Sequence, residues 1–107
     1  MAFLGLNLSV LTLIQQRSTK QFRMMVRQNE LNQNTEVLNA IANANADNDD
    51  YNVANDPAAQ QLQQNGSNIE AEIASLETEL TVLNQQIKDN KNAAKQNAKS
   101  DMKLNIN

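Results

Sequence analysis

Residues 57–94 read PAAQQLQQNGSNIEAEIASLETELTVLNQQIKDNKNAA, and the apolar residues of this stretch decide the fold. Leu62, Ile69, Ile73, Leu76, Leu80, Leu83 and Ile87 lie on one track of alternating three- and four-residue steps, with Ala59 and Ala94 extending it. That spacing keeps a single narrow face of an α-helix apolar, which is the seam of a coiled coil. Glu70, Glu72, Glu77 and Glu79 flank the track as charged shoulders, so the helix is not buried all round. Asp56 followed by Pro57 predicts the helix start, because Asp caps free backbone amides and Pro has no amide to leave unpaired. Gly66 alone interrupts the track, and Ser67 with Glu70 offers a capping box that would restart a broken helix there. The phase runs through Gly66 unshifted, which favours one helix over residues 57–104 with a weak point at the glycine.

Working outward from this stretch, the first half of the chain is helical but patchier. Met24, Leu31 and Leu38 recur every seven residues, and Gln21, Gln28 and Thr35 are read as the intervening seam positions. Phe22, Met25, Val26 and Ile41 widen the apolar face, so a first helix over residues 17–42 is expected to touch more than one neighbour. Residues 43–56 are rich in Asn and Asp, whose side chains compete with helical hydrogen bonds, and form a polar acidic turn. Two helices of similar length joined by such a turn predict an all-α antiparallel helical hairpin with coiled-coil packing, one unit over residues 1–107. One seam is a small core for a chain of this length, so assembly into a helical oligomer is expected.

Residues 1–16 form an apolar N-terminal segment carrying Phe3, Leu4, Leu6, Leu8, Val10, Leu11, Leu13 and Ile14. It is too short to span a bilayer, and its basic residues follow the apolar run, the wrong order for a secretory signal. In a hairpin it faces mainly Ala93, Ala94, Ala98 and Met102, too small a surface to cover it. These eight residues are therefore expected to bury against another subunit, with contact to a membrane as the alternative.

Composition removes most chemistry. The chain has no Cys and no His, hence no thiolate, no disulfide, and none of the commonest nucleophile–base pairs or zinc ligands. Asp47, Asp49 and Asp50 resemble the start of a calcium loop, but Asn52 stands where the loop needs Gly and Ala58 where it needs Glu. There is no glycine-rich phosphate loop. Arg17, Lys20, Arg23 and Arg27 could line a nucleic-acid face, but the chain is acidic overall and only Phe22 is interleaved with them. The sequence therefore reads as non-enzymatic, with no cofactor, metal, small-molecule substrate or nucleic acid. Asn and Gln exceed a quarter of the residues and are interleaved with Leu, Ala, Glu and Lys, which fits a helical surface better than a prion-like tract.

Charge is segregated. Residues 1–27 hold those four bases and no acid, residues 28–80 hold ten acids and no base, and residues 81–107 hold five lysines against two aspartates. Folding at the turn predicts a rod with a basic end and an acidic end. Head-to-tail contact between copies would set Arg17, Lys20, Arg23 and Arg27 of one against Asp47, Asp49 and Asp50 of the next.

With two helices meeting at Asn55-Asp56-Pro57, the plan resembles the hairpin subunits of bacterial type III secretion needles, which are short and lack a cleaved signal. The lack of Cys, His and Trp with abundant Asn, Gln, Leu and Ala is similar to flagellin core helices. The resemblance implies a secreted bacterial surface filament. Two functions are expected on this basis: a structural subunit that self-assembles into an extracellular filament or tube, or a cytoplasmic coiled-coil adaptor or secretion chaperone.

Overall fold

A computed structural model describes the backbone of residues 2–106 and the side chains of residues 7–100. Helix α1 spans Ala2–Ala44 and helix α2 spans Pro57–Ile106, with a 3-10 turn at Val53–Asn55 between them. Among the described residues there is no strand. The fold is the expected all-α antiparallel helical hairpin.

Its boundaries differ from the expected ones at the N-terminus. The apolar segment is no separate element: α1 runs through residues 2–16 into the first helix without a break. Gly5 is the only glycine in residues 2–16 and there is no Pro before Pro57, so no strong breaker stops the helix. Helix α2 likewise passes through Gly66 unbroken.

The turn is built from Asn and Asp side chains that satisfy backbone groups locally. Asn45 Nδ2 donates to the carbonyl of Ile41 at 2.8 Å, capping the C-terminus of α1. Asn48 Oδ1 accepts from the amide of Asp50, and Asn52 Oδ1 accepts from that of Ala54. Asp56 has extended backbone, and its Oδ1 accepts from the amides of Ala58 and Ala59 at 3.1 and 3.4 Å, the N-cap expected ahead of Pro57.

The chain divides into two units, residues 1–22 with 77–107, and residues 23–76, which include the turn. In each, one stretch of α1 runs antiparallel to one of α2. The first unit buries Val10, Leu80, Leu83, Ile87 and Ala94; the second buries Ala59, Gly66 and Leu76.

Candidate functional site: the helix seam and the uncovered face of α1

All ten expected seam residues, Met24, Leu31, Leu38, Leu62, Ile69, Ile73, Leu76, Leu80, Leu83 and Ile87, are buried or half-buried. On α2 the buried and half-buried track continues through Asn90, Ala94 and Asn97 at the same alternating steps.

On α1 the phase differs from the expected one. Gln21, Gln28 and Thr35 are exposed, and the Thr35 hydroxyl donates to its own helix at Leu31. The seam instead steps through Val10, Leu13, Arg17 and Lys20 in the first unit and Met24, Arg27, Leu31, Asn34, Leu38 and Ile41 in the second. Four of these ten positions, Arg17, Lys20, Arg27 and Asn34, are therefore long polar or amide residues. Their heads reach α2 groups beside the seam: Arg17 Nη1 donates to Asn84 Oδ1 at 3.0 Å, and Lys20 Nζ to Glu79 Oε2 at 3.0 Å. Arg27 is held by Glu30 of its own helix at 2.5 Å and by Glu72 at 2.8 Å, and both raise its pKa, Glu30 most. Leu80 and Leu83 of α2 are buried in the same unit.

Three of the four bases expected to face another subunit are thus engaged within the chain, while Arg23 is exposed. Asp47, Asp49 and Asp50 are exposed in the turn. Asp56, half-buried, accepts from the Tyr51 hydroxyl at 2.8 Å; this bond first, helped by the amides of Ala59 and Ala58, holds its carboxyl below the usual range, and the same bond first, with burial, raises the Tyr51 phenol. Sequence reading missed this link and the seam roles of Arg17, Lys20, Arg27 and Asn34. The heptad spacing of Arg17, Lys20 and Arg27 from Met24, at seven, four and three residues, was the available signal.

The N-terminal residues split. Val10 is buried, Leu13 and Ile14 are half-buried, and Leu8 and Leu11 are 58% and 57% exposed. Phe3, Leu4, Leu6 and Met102 lie outside the residues whose side chains are described. Phe22 is 66% exposed in the first unit; Met25 at 64%, with Val26 and Val37, is exposed in the second. A shallow groove in the first unit is lined by Leu8, Ser9, Thr12, Leu13, Gln86 and Asn90, and one in the second by Met25, Val26 and neighbouring amides. Neither has a titratable side chain in its lining.

Among the described residues, no three acidic, His or Cys side chains converge as a metal site, and no helix is long and apolar enough to cross a membrane. Comparison with known protein families, curated proteins and solved structures finds no match.

Proposed function

We propose that this protein is a non-enzymatic structural subunit whose copies pack their helices together into an extracellular filament or tube of the needle or flagellin-core kind. The observation that carries the reading is the uncovered face of α1. Leu8, Leu11 and Phe22 in one unit, and Met25, Val26 and Val37 in the other, keep large apolar surfaces in water although α1 already has a full seam with α2. At ~25 cal/mol per Å², covering even a few hundred Å² of such surface is worth several kcal/mol, enough to drive association. Exposed charge adds direction: Asp47, Asp49 and Asp50 on one copy would meet Arg23 and the exposed Lys88, Lys91, Lys95 and Lys99 of another. Arg17, Lys20 and Arg27 contribute less, since their heads are already paired.

Negative-stain microscopy of the purified protein tests this. Long polymers are expected, and deletion of residues 1–14 is expected to leave a soluble helical species without them. A discrete small oligomer at every concentration favours the adaptor reading. A truncation that leaves oligomer size unchanged but releases the protein from lipid vesicles makes the segment a membrane anchor.

A further inference from the structure

A heptad seam has a built-in ambiguity. Sliding one helix by seven residues returns apolar side chains to apolar neighbours, so Leu62, Ile69, Ile73 and Leu76 cannot by themselves say which level of α1 each should face. We propose that Asn34 and Gly66 form a register lock in the unit of residues 23–76, one that makes a single pairing of α1 with α2 the native one.

The geometry is specific. Asn34 is half-buried in the α1 seam, and its Nδ2 donates to the main-chain carbonyl of Leu62 at 2.8 Å. Gly66, one helical turn on, is buried at a seam position of α2. A Cβ at Gly66 would stand 2.9 Å from Asn34 Nδ2 and 3.9 Å from Leu31 Cδ1. The first distance is too close for a real contact, so the amide reaches the carbonyl because residue 66 has no side chain. Gly66 is the only glycine in residues 23–76. A slide of one heptad along α2 sets Asn34 against Ala59 in one direction or Ile73 in the other, and either side chain occupies the space the amide needs. The hydrogen bond then fails, and a polar amide is left at an apolar level of the seam. A lone Asn within a coiled-coil seam acts in this way generally: it costs stability and fixes the pairing. The glycine that reads in sequence as a weak point is thus the seat for that amide.

The turn also tethers the helices, so the test removes the tether. Residues 46–51 are replaced in the full chain by a flexible Gly/Ser linker of about twenty residues, and spin labels are placed at the exposed Gln33 and Gln63. With Asn34 and Gly66 intact, pulsed dipolar spectroscopy should return one narrow distance. In the same long-linker chain, Asn34→Leu with Gly66→Ala should keep the helical signal and raise the thermal midpoint. Its distances should nevertheless broaden or gain a second population, because the slide displaces one label by about 10 Å along the helix axis, seven residues at ~1.5 Å each. A single narrow distance in the double variant overturns the proposal, as does loss of its helical signal. Gly66→Ala alone, with the natural turn, should return the Asn34 side-chain amide protons to fast solvent exchange by NMR. Unchanged exchange would also overturn it.

Discussion

In each unit a stretch of α1 and a stretch of α2 share a seam, and the two helices build it from different materials. On α2 the track is apolar from Leu62 through Ile87 apart from Gly66, and four of its members bury almost completely. On α1 the same interface alternates Leu13, Met24, Leu31 and Leu38 with Arg17, Lys20, Arg27 and Asn34, all half-buried. What α2 supplies is apolar burial; what α1 adds is polar heads bonded to Asn84, Glu79, Glu72 and the Leu62 carbonyl. The consequence appears on the far side of α1, where Leu8, Leu11, Phe22 and Met25 stay exposed although the seam is complete. A helix that spends polar residues on its intramolecular face and apolar ones on its outer face is suited to a second partner.

The sharpest way to break this comparison is to put a charge into the α2 track. Leu76→Asp, at a side chain only 3% exposed, should abolish the cooperative thermal transition followed by circular dichroism, because an unpaired carboxylate has no partner there. A variant that melts normally would show that the seam does not hold the hairpin. Next in size, Leu83→Ala should cost about 2–4 kcal/mol in chemical denaturation, the range for a large-to-small change in a packed core. A loss near zero would mean that Leu83 is not packed in a core in solution.

The phase of α1 is tested by a pair of changes one residue apart. Arg27→Leu should hold or raise the thermal midpoint, since the residue sits on the seam, while Gln28→Leu, exposed, should leave it unchanged and add to self-association. The reverse outcome would restore the phase that has Gln28 in the seam.

The turn gives a pH signature. Asp56 has its pKa lowered in the folded chain, so its contribution to stability is present above the ordinary carboxylate range and is lost as pH falls through the lowered value. Tyr51, raised by the same bond, contributes below the ordinary phenol range and loses that contribution as pH rises past its raised value. Tyr51→Phe should flatten both limbs of a stability–pH curve, and unchanged limbs would show that the bond does not persist in solution.

The smallest effect is expected at Lys20 and Glu79. A double-mutant cycle with both changed to Ala should give a coupling of at most ~1 kcal/mol, because both side chains, 28% and 46% exposed, remain in contact with water. That coupling should fade with salt as the Debye length shrinks below ~10 Å. A coupling that survives high salt would mean the pair is shielded from water.

The fold was legible because strict 3–4 spacing of Leu and Ile on α2, with Asp56-Pro57 ahead of it, admits one secondary structure and one buried face. On α1 only Met24, Leu31 and Leu38 were legible, because periodicity tracks apolar residues and cannot see an Arg or Lys at a seam position whose head bonds to the facing helix. The unbroken helix through Gly66 was legible from the unshifted phase, but the amide beside it was not, because helix propensity counts the backbone cost of glycine and omits what a neighbouring helix places in the vacant volume. The outer face of α1 was half legible. Phe22, Met25 and Val26 stood out as surplus to the seam, whereas Leu8 and Leu11 could be separated from Val10 only by knowing the phase.

Sedimentation velocity of the wild-type chain beside Phe22→Glu tests most directly the claim that copies bury the outer face of α1. Phe22 lies off the seam and is two-thirds exposed, so the charge should not disturb the hairpin, and circular dichroism should match the wild type. The account predicts concentration-dependent large species for the wild type and a monomer for Phe22→Glu. A wild type that stays monomeric at all concentrations, or a Phe22→Glu chain that assembles equally well, would contradict it.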